Sequence, residues 1–107
     1  MPETAIVILN WNGIEYLKRF LGTVIKYSEG FSAEVWVADN GSTDDSVQWI
    51  SLNHPPVKLV RLEKNHGFAG GYNLALEQIK AKYYVLLNSD IEVTSAWLEP
   101  LLKHMNE

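Results

Sequence analysis

YYVLLNSDIEV, residues 83–93, is the stretch of this sequence that decides the fold. Its first five residues are apolar or aromatic, and a short unbroken run of this kind is typical of a β-strand covered on both faces, as in a parallel sheet. The run leads directly into Asn88, Ser89 and Asp90. Because ligands of open α/β sheets bind just beyond the carboxyl ends of such strands, Asp90 is a candidate ligand-binding residue. Taken alone, the triplet is more typical of a turn, since Asn and Asp are both favoured there.

The length and composition of the chain limit its class. A chain of 107 residues is expected to form a single domain over residues 1–107 with a genuine core. Its 47% hydrophobic and 21% charged residues are ordinary for a globular protein. A net charge of -4 without a run of Lys or Arg argues against nucleic acid as a partner.

Three absences narrow the environment of the protein. Cysteine is missing, so neither a disulfide framework nor a thiolate site is available. No apolar stretch reaches the roughly 20 residues that span a bilayer. The N-terminus has no charged region and cleavage site of the kind found in a signal peptide. We therefore expect a cytoplasmic domain.

Short apolar runs alternate along the chain with longer segments of helical period. The strands are expected at Ala5–Leu9, Val35–Ala38, Val57–Leu62 and Tyr83–Leu87. The third strand alternates apolar and polar residues, which favours a position near an edge of the sheet. The order β-α-β-α-β-α-β-α predicts an α/β fold with a mostly parallel sheet of about four strands and flanking helices.

The helices are expected where apolar residues recur every three or four positions. They are predicted from Ile14 to Ile25, from near Thr43 to about Leu52 with Val47 and Ile50 inward, from Phe68 to Ile79, and beyond a cap at Thr94 or Ser95. Ser42 and Asp45 resemble a capping box for the second helix. Pro100 fits the last helix only within its first turn.

Each predicted strand runs into a loop that contains asparagine. These loops hold Asn10 and Asn12, Asp39 and Asn40, Asn65 and Gly67, and Asn88 and Asp90. Any one of them is explained by turn chemistry or helix capping. Because the carboxyl ends of parallel strands meet at one edge, the four together predict a polar ligand-binding rim.

The residues at this rim exclude some ligand classes and favour others. The dinucleotide fingerprint is missing after the first strand, and a Walker A sequence is also missing. Asp39, at the end of the second strand, could accept hydrogen bonds from a base or ribose. Asp90 and Asn88 offer hard oxygen ligands, and Mg²⁺ favours one or two carboxylates together with substrate phosphates.

Four motifs follow one another at the predicted strand ends. They are VILNWNG at Val7–Gly13, VADNGSTD at Val37–Asp44, NHGFAGGYN at Asn65–Asn73 and LLNSD at Leu86–Asp90. In this order, over nearly the whole chain, they resemble the N-terminal nucleotide-sugar-binding portion of a family 2 glycosyltransferase. The rhamnosyltransferase-like branch is the most similar. The resemblance implies the Rossmann-like half of a GT-A fold.

The resemblance also implies roles for individual residues. Asp39 matches an acidic residue that contacts the nucleotide, and Asp90 would bind Mg²⁺ or Mn²⁺ through the donor diphosphate. Asn88 departs from the first Asp of the family's DxD motif, so it would offer a neutral contact and a weaker metal site. The implied donor-binding set is Asn10, Asn12, Asp39, Asn40, Asn65, Gly67, Gly70, Asn73 and Asn88.

The implied reaction is an inverting transfer from a dTDP- or UDP-sugar to a glycan or lipid-linked acceptor, at the inner face of the membrane in a full-length enzyme. Such a transfer needs a general base. Glu92 is too near Asp90 for this role, and His66 lies in the Asn65–Asn73 segment that would line the donor site. No catalytic residue is therefore predicted in this chain, and it is expected to be inactive alone.

Three alternative hypotheses compete with the glycosyltransferase interpretation. A non-catalytic nucleotide-sugar-binding module has the same residues without transfer. A nucleotidyltransferase would need a glycine-rich, basic first loop, which Asn10–Gly13 does not provide. A flavodoxin-like signalling domain would need acidic residues after the first strand, where Asn stands. Because part of the sheet would be exposed, self-association of the chain into a homo-oligomer is also expected.

Overall fold

A computed structural model of the protein describes residues 3–94 and 97–105. Strands and helices alternate along the chain, as the apolar pattern predicts. The elements are β1 (Thr4–Asn10), α1 (Ile14–Lys26), β2 (Ala33–Asn40), α2 (Ser46–Asn53), β3 (Lys58–Leu62), α3 (Gly67–Glu77), β4 (Tyr83–Asn88) and α4 (Leu98–Met105).

The four strands form one parallel sheet in the order β3-β2-β1-β4. At the centre of the sheet, Ile8 pairs with Val37 of β2 on one side and with Leu87 of β4 on the other. The predicted parallel α/β fold is confirmed, and β3 lies at an edge as expected. In this arrangement the loops after all four strands lie at one edge of the sheet.

Helices cover the two faces of the sheet unequally. On one face, Leu17 and Leu21 of α1, Ile50 of α2 and Leu98 of α4 pack in one core with β1, β2 and β4. On the other face, α3 packs against β1, β2 and β3, and the core there contains Ala5, Val7, Ala38, Val60, Tyr72, Ala75 and Ile79. The second face is thus covered by a single helix among the described residues.

Strand β4 differs from its prediction. Val85 and Leu87 are buried under the first face, whereas Tyr84 is 38% exposed and Leu86 is 46% exposed on the second. The prediction of a strand covered on both faces is therefore wrong for β4. Within the described residues β1 is its only partner strand, and α3 packs against β1, β2 and β3 rather than over β4.

Two helix boundaries show where local signals succeed and fail. Helix α2 begins at Ser46 rather than near Thr43, and the side chain of its N-cap residue Asp45 makes no capping hydrogen bond. The Ser42 hydroxyl bonds to Asp39 instead of closing a capping box. Pro100 lies in the first turn of α4, as required. Of the two proposed caps for α4, Ser95 lies outside the described residues.

No helix within residues 3–94 and 97–105 is long and apolar enough to cross a membrane.

Candidate functional site

A cavity of about 370 Å³ opens at the carboxyl edge of the sheet, between the loops that follow the strands. Six of the predicted site residues line it: Asn12, Asn40, Asn65, Gly67, Asn88 and Asp90. The structure therefore brings together residues from all four loops. Gly70 and Asn73, further along α3, do not line this cavity, and their donor-binding role stays a prediction.

Asn10 and Asp39 do not line this cavity, and Asp39 instead borders a separate depression together with Ser42 and Arg61. Asn10 is 0% exposed and Asp39 is 4% exposed. The Asn10 Nδ2 atom donates to Asp39 Oδ1 at 3.1 Å. Asp39 also accepts from the Ser42 hydroxyl at 2.7 Å and from the Ser42 backbone N–H at 3.0 Å. Both carboxylate oxygens are thus engaged within the fold, while the predicted contact of Asp39 with a nucleotide stays untested.

Asn12 joins the β1–α1 loop to the β2–α2 loop. Its φ of 50° lies in the left-handed region, which Asn tolerates better than most residues. Its side-chain oxygen accepts from the backbone N–H groups of Thr43 at 2.7 Å and Asp44 at 3.1 Å. Its own N–H donates to the Ser42 hydroxyl at 2.9 Å. One asparagine therefore fixes the relative position of two loops.

Asn40 makes an equivalent connection between β2 and the segment that leads into the glycine-rich start of α3. Its side-chain oxygen accepts from the His66 N–H at 2.9 Å, and its Nδ2 donates to Asn65 Oδ1 at 3.1 Å and to the Gly67 carbonyl at 3.0 Å. Gly71 lies against this amide, because a Cβ there would come within 2.8 Å of Asn40 Nδ2. The close approach of α3 requires glycine at that position.

Gly41 makes the crossing of the β2–α2 loop and the segment after β3 possible. Its φ of 77° is left-handed, and a Cβ would lie 2.4 Å from the Lys64 carbonyl carbon. Backbone atoms cannot move away from such a contact as a side chain could. Only glycine fits this position without displacing the Lys64–Asn65 backbone.

Gly13 brings the start of α1 against the turn that follows β4. A Cβ on Gly13 would lie 2.4 Å from Asn10 Oδ1 and 2.8 Å from the Ser89 hydroxyl. The Asn10 Oδ1 atom is buried without a hydrogen-bond partner within the described residues. An unpaired buried acceptor is costly, and this one lies against Gly13 at the contact between α1 and the strand ends.

The residues after β4 are less engaged than those after β1 and β2. The Tyr72 hydroxyl lies 3.4 Å from Asn88 Oδ1. Asp90 is exposed and lines the cavity, and within the described residues its carboxylate has no hydrogen-bond partner. The lone pairs of Asp90 are therefore free for a ligand or cation.

A divalent cation fits this residue set if the ligand supplies most of its oxygens. The described part of the chain contains no group of three or more His, Cys, Asp or Glu that could hold a metal. Among the described residues, Asp90 is the only carboxylate that lines the cavity, and no Lys or Arg lines it. One carboxylate with a diphosphate and water is a usual arrangement for Mg²⁺.

Three aromatic side chains line the cavity, and sequence reasoning did not select them as site residues. Trp11, Tyr16 and Phe68 are 54%, 46% and 63% exposed. Phe68 is one of the apolar residues whose spacing predicted α3, yet its ring lies at the cavity rather than in the core. The available signal was a large apolar side chain within a polar loop or first helical turn at a strand end. Exposed aromatic faces of this kind stack on bases or sugars.

Asp44 ties the start of α1 to the start of α2. Partial burial acts to raise the pKa of its carboxyl group, but the Ser46 hydroxyl, the Ser46 N–H and the Ile14 N–H all donate to it, so its pKa is lowered overall. Asp44 therefore remains ionised well into acid, and its charge stabilises two helix N-termini at once.

Comparison with known proteins decides the family of this chain. The sequence profile described as Glycosyl transferase family 2 matches residues 5–107. The chain belongs to this glycosyltransferase family. The family expected from the four motifs is confirmed, whereas no comparison distinguishes the rhamnosyltransferase-like branch within glycosyltransferase family 2.

Individual relatives of this family 2 chain are similar over nearly its whole length. The teichoic acid poly(glycerol phosphate) polymerase of Staphylococcus epidermidis is 26% identical over 99% of the chain. A mannosyltransferase from Pyrobaculum calidifontis, solved with GDP-Man and Mn²⁺, has a TM-score of 0.84 at 22% identity over 99% of the chain. Residues 1–349 of TarS from S. aureus, solved with UDP-GlcNAc, have a TM-score of 0.79 at 23% identity over 97%.

This family 2 chain corresponds to only part of each of these proteins. It spans 15% of the polymerase, 33% of the mannosyltransferase chain and 31% of the TarS chain. At these identities the two structures establish the shared GT-A type of fold, and their ligands are properties of those proteins.

Proposed function

We propose that residues 1–107 form the donor-binding domain of a glycosyltransferase, which binds a nucleotide-diphosphate sugar together with Mg²⁺ or Mn²⁺. The observation that carries this proposal is the unpaired Asp90 carboxylate on a cavity that lacks basic side chains among the described residues. A diphosphate in such a cavity needs positive charge from elsewhere. A divalent ion held by Asp90 would supply it.

The nucleotide and sugar are proposed from similarity and from the aromatic lining. The structural neighbours are solved with UDP-GlcNAc and with GDP-Man and Mn²⁺, which supports a nucleotide-diphosphate sugar as the ligand class. The resemblance of the four motifs to the rhamnosyltransferase-like branch adds dTDP-rhamnose as a candidate donor. Trp11 and Phe68 offer exposed rings on which a base or sugar would stack.

The proposed roles of the remaining residues follow from which atoms the fold leaves available. Asp90 holds the metal, which when bound would stabilise the charge that grows on the leaving diphosphate. Asn88, with its side-chain nitrogen toward no described partner, offers a neutral contact to sugar or ribose. Asn12 and Asn65 line the donor cavity, while Asn10, Asp39 and Asn40 hold its loops in place.

The proposed reaction is an inverting transfer to a glycan or lipid-linked acceptor. It requires a base that removes the proton from the acceptor hydroxyl. Asp90 is the only carboxylate of the described residues on the cavity and is assigned to the metal. We therefore expect this chain alone to bind donor without transferring sugar. Transfer to acceptor by the purified chain would contradict this part of the proposal.

Calorimetry with UDP-, dTDP- and GDP-sugars, each with and without Mn²⁺ or Mg²⁺, tests donor binding. We expect one class of nucleotide sugar to bind and its affinity to increase when the metal is added. Chelation with EDTA should reverse the increase. A chain that binds none of these sugars in the presence of metal would refute the proposed function.

A non-catalytic nucleotide-sugar-binding module is the second candidate, favoured by the single carboxylate on the cavity. Donor binding by this chain is common to both candidates. Assay of the whole natural protein with donor and acceptor separates them, because only the enzyme transfers sugar. A nucleotidyltransferase is less well supported, since no Lys or Arg of the described residues lines the cavity to hold a triphosphate.

A further inference from the structure

We propose that Tyr72 is a positioning residue that holds the Asn88–Asp90 turn in register with the glycine-rich start of α3, so that metal and donor are bound together. This inference rests on the proposed donor function and extends it to Tyr72, a residue of the third motif to which the resemblance gave no role. Tyr72 lies on α3, whereas the turn follows β4. The phenol hydroxyl is the polar connection between them.

The hydrogen bonds of Tyr72 are the first support. Its side chain is 4% exposed, and its hydroxyl donates to the Leu87 carbonyl at 2.5 Å. The same hydroxyl lies 3.4 Å from Asn88 Oδ1. Burial raises the pKa of the Tyr72 phenol, so the hydroxyl keeps the proton that it donates. The donor is therefore present at neutral pH.

The position of the acceptor is the second support. Leu87 is the last buried residue of β4, and it pairs with Ile8 at the centre of the sheet. Its carbonyl belongs to the peptide that leads into Asn88. A hydrogen bond that fixes this peptide plane also fixes the direction in which Asn88 and Asp90 leave the sheet.

The other end of the connection is the start of α3. Tyr72 directly follows Gly71, which packs against the Asn40 amide and the Leu9 side chain. Its ring meets Phe68 edge to face, with centroids 5.1 Å apart and an interplanar angle of 74°. Phe68 lines the cavity. One buried side chain thus contacts both an aromatic wall of the cavity and the strand end that presents Asp90.

The chain offers a matched control for this hydrogen bond. The Tyr84 hydroxyl donates to the Ile79 carbonyl at 2.6 Å, which also connects β4 with the segment that ends α3. Tyr84 lies near the opposite end of β4 from Asn88. Tyr72→Phe and Tyr84→Phe each remove one phenol hydroxyl between the same two elements, but only the first removal is next to the proposed metal site.

The decisive measurement is the affinity for the donor nucleotide sugar identified above, with Mn²⁺ and with EDTA. Removing one hydrogen bond of this kind should reduce the Mn²⁺-dependent affinity of Tyr72→Phe by roughly five- to tenfold. The affinity in EDTA should change by less than about twofold, and Tyr84→Phe should change neither value by more than about twofold. Circular dichroism at the assay temperature checks that both variants are folded.

Coupling to Asp90 distinguishes positioning from general destabilisation. If Tyr72 acts through Asp90, then Tyr72→Phe should have no further effect on Mn²⁺-dependent affinity once Asp90→Asn is present. Additive losses in the double variant would overturn the inference. Equal affinity of Tyr72→Phe and the wild type, or an equal loss in Tyr84→Phe, would also overturn it. A wild-type chain without metal-dependent donor binding would instead refute the proposed function itself.

A measurement on the wild-type chain does not depend on how the variants fold. Addition of Mg²⁺ with the donor should shift the ring NMR signals of Tyr72 and leave those of Tyr84 unchanged. If the Tyr72 signals do not move while the donor binds, the connection between this residue and the site is refuted.

Discussion

Two sides of the carboxyl rim of the sheet use the same residue types in opposite ways. On the braced side, formed by Asn10, Asn12, Asp39 and Ser42, side chains bond to one another and to neighbouring loops at 2.7–3.1 Å. On the open side, formed by Asn88–Asp90, the Asp90 carboxylate has no partner within the described residues. The role of an acidic residue at a strand end thus depends on how many hydrogen-bond donors of the fold contact its carboxylate. With several donors it is a structural residue, and with none it is available to a ligand.

Burial decides between these outcomes. A carboxylate that is 4% exposed, as Asp39 is, is stable in the fold only when donors replace its lost water. Asp90 keeps its water and can exchange it for a cation. We therefore expect the braced side to determine stability and the open side to determine the proposed binding.

Asp39→Ala should have the largest effect on stability. The substitution removes the carboxylate that accepts three hydrogen bonds. The Asn10 Nδ2 group, the Ser42 backbone N–H and the Ser42 hydroxyl each lose this acceptor. We expect the free energy of unfolding to fall by about 3 kcal/mol, measured by urea denaturation. Asp90→Ala is the matched control and should change it by less than about 0.5 kcal/mol. Equal effects of the two variants would abolish the distinction between the sides.

Gly41→Ala should come next. The new Cβ would meet the Lys64 carbonyl carbon at 2.4 Å in a backbone with φ of 77°. We expect a loss of about 2 to 3 kcal/mol in the free energy of unfolding. Gly30→Ala separates clash from conformation, because its φ is 86° with nothing within 4 Å. The free energy of unfolding of this control should fall by only about 1 kcal/mol. A similar loss in Gly41→Ala and Gly30→Ala would show that the backbone contact at Gly41 can relax.

Asp90→Asn should affect binding rather than folding. The substitution keeps the shape of the side chain and removes its charge, so the metal loses its proposed carboxylate ligand. Metal-dependent donor affinity should fall about tenfold, or about 1.4 kcal/mol, while the urea midpoint stays the same. Unchanged metal-dependent binding by this variant would exclude Asp90 as the ligand.

The open side continues along the exposed face of β4, where self-association is predicted. Edge strand β3 carries the charged residues Lys58 and Arg61 at exposed positions, whereas β4 exposes Tyr84 and Leu86. Charges at an edge oppose pairing between copies. Light scattering should show a weak, concentration-dependent dimer that Leu86→Lys disrupts. A monomer over a wide range of concentrations would contradict this expectation.

The smallest effect concerns pH and belongs to the braced side. The pKa of Asp44 is lowered from its ordinary value of 3.8, so its ionised form is the one that stabilises the fold. That stabilisation is complete above pH 3.8 and is lost as the pH falls through the lower, folded-state pKa. Asp44→Asn should flatten this part of the stability profile, measured by thermal melts in acid. An unchanged acid profile would show that Asp44 contributes nothing through its charge.

The fold could be predicted from the sequence because periodicity reports local structure. The predicted strand Ala5–Leu9 differs from β1 by one residue at each end. The same pattern could not show that Leu86 would be exposed, because an apolar run does not say which element covers it. Nor could local spacing place the start of α2, since the Ser42 hydroxyl bonds to Asp39 rather than to a helix N–H.

The site could be predicted in its location but not in its internal bonds. Asparagines at strand ends identified the rim, yet the partners of Asn12 and Asn40 lie 25 to 32 residues away along the chain. Spacing within a motif carries no information about such partners. Trp11, Tyr16 and Phe68 were not selected because an apolar side chain is ordinarily assigned to the core, and only the sheet geometry shows that these face the cavity.

The asparagine connections have a consequence for how this site responds to its surroundings. The amides of Asn12 and Asn40 carry no charge and do not titrate, so added salt has no ion pair to screen at these two crossings of the rim. The shape of the cavity there should stay constant over a range of ionic strength that would weaken a site built on ion pairs. Any salt dependence of donor binding then measures the charged partners alone, the metal ion, Asp90 and the phosphates.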